Sequence, residues 1–592
     1  MRAAIEARET FKRGKIVLVS KGMIGMSGVT ATACSDRMAF HATLPHTEPG
    51  GPVPWRYHAE DIFRIGGYVS DGPLAMVLAR EAQQAFEYLD QLGVPFVRRP
   101  DGLPDQFITD GSDHARACYT GPRTALHIEQ ALMKKISSMD ITLIHHCMVV
   151  DFVRWRGRLI GAFGLDEREG ELEKRTKIFS AKTIILATGG AGEAFGVHVF
   201  PICMTGDGYA MAYRAGAELV NMEFIQIGPS SIDTKLNCSG SLMRAVPRVL
   251  NEKGEEFLQK YLPPKTSSAD ICNLIFEKGS SWPVAYEKPT HVIDVAMFKE
   301  IARGGRVFLD YSTNPGGFRF QDLDPRWQER YEGEVRTGSR PGKRDVSPLH
   351  RLAEINLDSI EWLREHGIDL DAGETIEVAP CVQHFQGGVK IGERGNTTLR
   401  GVYAAGECAG GQHGANRPGG NALLDGQVFG RIAGREAALE AMTAGHVPEV
   451  SPQRVKTFLS ELKKMFEDGR TSEIRQEIHS LTSQEASVVR TGEGLKKGLK
   501  RLEDLRKERI GSDEKGLVYA LETRNLIDVA EMILRACLLR KESRGPHLFF
   551  RRFEDLSPLP SCDPGWRKYI VIRDVSGKMT LQKRKPVPLR SM

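Results

Sequence analysis

The chain of 592 residues carries a net charge of only +5, with 41% hydrophobic and 27% charged residues. That length exceeds one compact core and predicts roughly two to four domains of an ordinary globular protein. So small a charge argues against a nucleic-acid partner, which shows as a dense basic stripe, and no apolar run approaches the length of a membrane span.

Ala3 to Arg13 reads as a charged helix, not a secretory signal, and Gly14 ends it. Lys15 to Ser20 (KIVLVS) then reads as a buried parallel strand. Helix followed by strand is the second half of a β-α-β nucleotide-binding unit, whose first half would be a strand and a G-x-G-x-x-G turn. The sequence opens inside that helix. Either the start codon lies further upstream than assigned, or the turn is absent; the first is the favoured expectation.

Helices are predicted over Pro73–Leu92 and Thr124–Ile136, and an antiparallel hairpin over 148–164 with 175–179. Thr183 to Gly190 (TIILATGG) is a short apolar strand running into two glycines, the pattern of a central strand whose carboxyl end meets a ligand. Residues 228–377 change character and read as an inserted domain, with helices over Asp270–Lys278 and Leu349–His366. Residues 378–435 return to glycine-rich, strand-like sequence and close with a helix from Ala422 to Ala433. Residues 452–545 read as a helical domain, and 546–592 as an irregular segment with a final hairpin at Tyr569–Lys583.

The basic end (Lys568, Arg573, Lys578, Lys583, Arg584, Lys585, Arg590) is expected to be a solvated tail. Ten cysteines include no C-x-x-C pair, so free thiols in a reducing compartment are expected, with no metal and no cluster held by this chain. The reading is cytoplasmic, or peripheral to a membrane through a partner.

The strongest chemical signal is Gly401 to Glu407 (GVYAAGE) followed by His413 to Leu424 (HGANRPGGNALL). A buried strand ends at Gly406, and Glu407 can accept a ribose hydroxyl. Gly419 and Gly420 let backbone approach a flat ring with no Cβ in the way, and the next helix aims its free N–H groups at that place.

With these motifs the sequence resembles the flavoprotein subunits of succinate dehydrogenases and fumarate reductases, a superfamily that includes L-aspartate oxidase and adenylylsulfate reductase. Ala187-Thr-Gly-Gly190, the stretch Thr205 to Gly216, Asn221 to Gln226, Arg540 to His547 and Trp566-Arg-Lys agree with it in order, covering nearly the whole chain. The resemblance implies an α/β fold. A Rossmann-like FAD domain (1–227 and 378–435) is split by an α+β capping domain (228–377), and a helical domain follows. It implies cofactor contacts from Ser20, Lys21, Ser27, Gly28, Thr30, Ala31, Val149, Ala187, Thr188, Gly189, Gly190, Asp207, Glu407, Arg417, Asn421, Ala422 and Leu423. The stretch Ser27 to Ala31 has no histidine, so FAD is expected to be non-covalent.

Dicarboxylate enzymes of the superfamily clamp substrate with arginine and histidine, and a capping-domain arginine delivers the proton. Arg417 fits the clamp. The family's His-Pro-Thr-Gly is Gly228-Pro-Ser-Ser231 here, and its Pro-x-x-His-Tyr is Pro380-Cys-Val-Gln383-His384, which moves the histidine one place. No arginine stands near Ser267 to Asp270; Arg244 or Arg248 is the substitute, and Arg417, His384 and Arg248 form the candidate catalytic set. These departures predict an oxidoreductase with a modified or different small acidic substrate, whose electron relay is an iron–sulfur partner subunit. The competing readings are an L-aspartate oxidase type and a non-catalytic, electron-carrying flavoprotein.

Overall fold

In the computed structural model, which describes residues 1–109, 111–335, 345–467 and 469–589, two parallel pairs of strands lie at the centre. Val17–Val19 pairs with Thr142–Ile144, and Ile184–Leu186 pairs with Val402–Ala404. Their aliphatic and β-branched residues suit a pleated, packed surface. The loops leaving three of these strands, at Ser20, Ala187 and Ala405, converge on one cavity, at the carboxyl ends where open α/β sheets take ligands. One expectation fails here. The Lys15–Ser20 strand is not buried: Val17 is 38% exposed. Among the described residues Val17–Val19 pairs on one edge only, and the cavity takes the other side.

The long helix Asn421–Thr443 crosses behind these strands and receives the first helix, Arg2–Thr10. Gly434 makes the crossing close, since a Cβ there would stand 2.3 Å from the carbonyl oxygen of Ala3. The long helix outruns the predicted Ala422–Ala433 because residues 434–443 hold mostly helix formers and no proline. The predicted Pro73–Leu92 helix is instead two, Gly72–Arg80 and Ala82–Gln91, meeting at Glu81, whose carboxylate is held by Arg80 and Arg431. Cys147–Trp155, Arg158–Asp166 and Thr176–Ser180 form a three-stranded antiparallel sheet.

Residues between Leu236 and Val378 gather a hydrophobic core of their own, separate from the main one. Over it lies a four-stranded antiparallel sheet in the order Ile225–Ser231, Ile376–Phe385, Val307–Asp310, Arg248–Asn251. Local signals fix its helices: the Ser268–Lys278 helix starts with a reciprocal capping box between Ser267 and Asp270. The first two strands are the chain's way in and out, so they carry Gln226 and His384 from this sheet to the cavity.

Helices Pro452–Lys464, Thr471–Glu485, Gly492–Leu505 and Gly516–Leu539 follow. The final hairpin, Tyr569–Val575 with Lys578–Arg584, does not stand apart. Tyr569–Val575 pairs with Leu219–Val220 inside a five-stranded sheet. The expected solvated tail is corrected accordingly: Arg573 and Arg584 both bind the carboxylate of Glu218, which is largely buried and needs compensating charge. Arg590 lies outside the described residues. No helix among the described residues is long and apolar enough to cross a membrane.

Candidate functional site

A cavity of about 1500 Å³ runs from the Val17–Val19 strand past Lys21, Thr188 and Glu407 to Arg417 and His384 beneath the 228–377 region. A single small-ligand site is typically roughly 300–1,000 Å³, so this one has room for a dinucleotide and a substrate end to end. Ser20, Lys21, Ser27, Gly28, Thr30, Val149, Ala187, Thr188, Gly189, Asp207, Glu407, Arg417, Ala422 and Leu423 all line it. Three expected contacts do not. Ala31 sits in the short helix Val29–Thr32, of which Val29 and Thr30 line the cavity and Ala31 does not. Gly190 is behind the wall and donates its N–H to Oε2 of Glu407 at 3.1 Å. Asn421 is fully buried, its Oδ1 held by Nδ1 of His41 at 2.7 Å and Nε2 of His58 at 3.2 Å.

One end of the cavity is charged. Lys21 places Nζ 2.6 Å from Oδ2 of Asp207, 2.6 Å from Oε1 of Glu522 and 3.0 Å from the hydroxyl of Thr205. Asn525 donates to Oδ1 of Asp207 at 2.8 Å. Burial opposes ionisation of Asp207, but the ammonium of Lys21 outweighs it and holds the carboxyl below its ordinary range. Glu522 and Asn525 belong to the helix Gly516–Leu539. Sequence reasoning missed them, because no local signal links that helix to a loop near the other end of the chain.

The middle is a backbone cradle. Gly420 (φ +93°) caps the 23-residue helix with no side-chain acceptor on its first N–H groups. Ala422 and Leu423, in that first turn, line the cavity, so the positive end of the helix dipole faces it. Gly28 is likewise at φ +93°, with nothing within 4 Å of a would-be Cβ. Glu407 accepts from the backbone N–H of Phe385 at 2.9 Å as well as from Gly190. Burial pushes its carboxyl up to about 7, against the pull of those N–H groups and of Arg417.

At the far end stand Arg417, Gln226, Gln383 and His384. Arg417 is buried, with its backbone N–H on Oδ1 of Asn416 at 3.0 Å, and Gln226 donates to the same oxygen at 2.6 Å. The register between the two entry strands slips here: Gln226 faces His384 while Ile227 faces Val382, which leaves Gln383 as the bulged residue. A bulge re-aims side chains at the end of a strand pair. It lets His384 reach the cavity although it stands one place late in the sequence. Burial, reinforced by Arg417 and by His413 at 6.0 Å between ring centroids, drives His384 well below the ordinary histidine range, so its ring is neutral.

Arg248 is not brought to this place. It lies on the Arg248–Asn251 strand, bound to Glu256, Asp310 and Thr313, and does not line the cavity. Arg244, at the end of the helix Gly240–Arg244, does line it, with its guanidinium on Gly279 O at 2.7 Å and on Glu334 at 2.9 and 3.1 Å. The two arginines are close in sequence, but one ends a helix that faces the cavity and the other lies on the far strand of the sheet.

Residues 1–423 match the FAD-binding domain family, and residues 475–589 match the family described as fumarate reductase flavoprotein C-term. One of the subunits of the fumarate reductase (CoM/CoB) of Methanothermobacter marburgensis is 32% identical, over 96% of this chain and 94% of that protein. The chain belongs to the succinate dehydrogenase and fumarate reductase flavoprotein family. The fumarate reductase flavoprotein subunit of Escherichia coli is 26% identical over 92% of this chain and 86% of its own length. Sdh1 of Mycobacterium smegmatis, solved in complex with UQ1, superposes with a TM-score of 0.74 at 25% identity, covering 99% of this chain and 92% of that one. This flavoprotein is therefore an FAD-dependent oxidoreductase. The cavity's lining suits that cofactor: a charged end at Lys21 and Asp207, a backbone cradle at Gly28 and Gly420, and an uncapped helix end with free N–H groups.

Proposed function

We propose that this flavoprotein exchanges hydride with a small carboxylate-bearing substrate held at Arg417, its electrons passing to or from an iron–sulfur partner subunit. FAD, when bound, supplies the hydride acceptor and donor. Everything else falls to the chain. Lys21, Asp207 and Glu407 would hold the adenosine half; Ser27, Gly28 and Thr30 would hold phosphate oxygens, and Ala422 and Leu423 would offer backbone N–H groups to the ring. Without a histidine in the Ser27–Ala31 stretch, the cofactor is held non-covalently.

The observation that carries this reading is the buried Arg417 beside a neutral His384, both facing the same cavity as the glycine cradle. Arginine is the best bidentate clamp for a carboxylate, and fixed donors stabilise charge that builds next to it. A neutral imidazole donates or accepts one hydrogen bond without adding a second charge. Arg244 closes the site from the 228–377 region, which acts as the cap and excludes water; the FAD domain comprises 1–227 and 378–435, with the helical domain (452–545) and the 546–592 segment around it. Among the described residues no group of three metal-ligating side chains occurs, and all ten cysteines are free. In this reading the electron relay is an iron–sulfur partner, through which the protein also sits at a membrane surface.

The test is anaerobic. FAD-loaded protein is mixed with a reduced viologen dye and a panel of unsaturated acids, with Arg417→Gln alongside. Dye oxidation by at least one acid, lost at least a hundredfold in the variant, is expected. Unchanged rates in Arg417→Gln would remove the proposed clamp, and bound FAD with no acid turned over would favour a non-catalytic electron carrier.

A further inference from the structure

Gly228 stands where related dicarboxylate enzymes carry a histidine, and the space that side chain would need is filled. A Cβ on Gly228 would lie 2.7 Å from Cε2 and 2.9 Å from Cζ2 of Trp282. The indole is buried and lines the cavity together with Pro283, Gln226, Gln383, His384 and Arg417. Its place is fixed twice: Nε1 donates to the carbonyl of Pro229 at 2.7 Å, and two residues on the N–H of Val284 donates to Ile227 at 2.7 Å. With Nε1 already used, the Trp282 side chain has no donor left to offer.

This changes what the site can hold. A carboxylate at one end of the substrate meets Arg417. A second carboxylate at the other end would meet the indole and Pro283, with the amides of Gln226 and Gln383 and a neutral His384 nearby. Of the arginines on this side, Arg244 is already committed to Glu334 and the carbonyl of Gly279, and Arg37, which also acts on Glu334, donates to the carbonyl of Ile355 at 2.8 Å. Burying an unpaired carboxylate against apolar surface is strongly unfavourable, whereas a planar apolar group gains from contact with an aromatic wall.

We infer that Trp282 sets specificity, and that the substrate is a monocarboxylate with a planar, apolar far end, such as a 2-enoate or an aryl-propenoate, and not a dicarboxylate. The inference rests on the reading of Arg417 as the carboxylate clamp.

Equilibrium binding tests it without turnover. Calorimetric titration and the shift of the flavin absorption band are read for trans-2-butenoate, trans-cinnamate and fumarate on FAD-loaded protein. Cinnamate is expected to bind at least tenfold more tightly than fumarate. Trp282→Phe should keep most of that preference and Trp282→Ala should lose it. Fumarate binding as tightly as cinnamate to the unmodified protein would overturn the inference alone, whatever the variants do. An Arg417→Ala protein that still binds every acid unchanged would instead overturn the clamp reading beneath it.

Discussion

The ammonium of Lys21 and the carboxylate of Asp207 meet at 2.6 Å, 186 residues apart in sequence, and Glu522 of the helical segment closes on the same nitrogen at 2.6 Å. Lys21 is thus shared by two carboxylates, and Glu522, 3% exposed, is also held by Arg475 at 3.1 Å. Removing one partner of a buried pair leaves uncompensated charge and costs about 3–5 kcal/mol. Lys21→Met is therefore expected to lower the unfolding free energy by that amount. Adding Asp207→Asn should recover part of the loss, because Asp207 is the carboxylate left stranded, whereas Glu522 keeps Arg475. Urea denaturation of Lys21→Met, Asp207→Asn and the double variant is the check; strictly additive losses would show that Lys21 and Asp207 are not coupled.

Gly420 is required by both its backbone and its surroundings. Its φ of +93° is rarely open to other residues, and a Cβ would stand 3.0 Å from that of Ala39 and 3.1 Å from that of His41. Holding a non-glycine residue in such a conformation costs about 1–3 kcal/mol. Gly420→Ala is expected to lose that stability and, by shifting the first turn of the helix, to weaken FAD binding at least tenfold in a flavin-fluorescence titration. Gly333→Ala is the control. It lies in the helix Pro325–Glu334 with open space around it, and should be neutral or gain up to about 1 kcal/mol.

What the sequence discloses is what local chemistry fixes. The glycines before the long helix, the strand that runs into Gly189 and Gly190, and the antiparallel pairing of 148–164 with 175–179 all follow from residue type and spacing. The charged end of the cavity was half legible: Lys21 and Asp207 sit in recognisable stretches, while Glu522 joins them only through tertiary packing. The place of His384 depends on a bulge at Gln383, which arises from register between two distant strands. Arg244 and Arg248 were indistinguishable as candidates, since choosing between them requires knowing that a helix ends at one and a strand begins at the other. Trp282 left a faint trace: a glycine in a histidine's place implies that another side chain fills the space, without saying which.

Asp36 joins the FAD domain to the cap. Its Oδ2 accepts from the backbone N–H of Ser241 at 2.8 Å and from the hydroxyl at 2.9 Å, at the start of the helix that ends in Arg244. Asp36→Ala would leave a buried N–H without an acceptor, at a cost of about 1–3 kcal/mol. Because that cost is relieved by opening the cap, the variant is expected to be cut faster by protease within 228–377 while 1–227 stays protected. Equal acceleration across the chain would show that Asp36 serves global stability and not cap closure.

Buried neutral histidines set the acid limit of the fold. Burial lowers His41 to about 3 and His198 to about 4, and holds His58, His384 and His547 well below the ordinary value. In the unfolded chain each titrates near 6.5, so below that pH the unfolded state takes up protons that the native state refuses. Their contribution is intact above pH 6.5 and is lost as pH falls, at up to about 1.4 kcal/mol per histidine per pH unit. Glu407, raised to about 7, has the opposite sign: between its unfolded value near 4.5 and 7 it is the native state that holds the extra proton, so its term declines as pH rises. Asp294, raised to about 6 by burial, acts as Glu407 does, and Glu129, Glu167 and Glu485 are raised too. Burial lowers His127, His291 and His479 as well, so eight histidines against five carboxyls predict a net fall in stability from pH 6.5 to 5. Unfolding free energies at pH 7.5, 6.5, 5.5 and 5.0 are the measurement. His41→Gln, whose amide can still donate to Asn421, should shed one proton's worth of slope; a slope unchanged in that variant would mean His41 is not a neutral group in the folded protein.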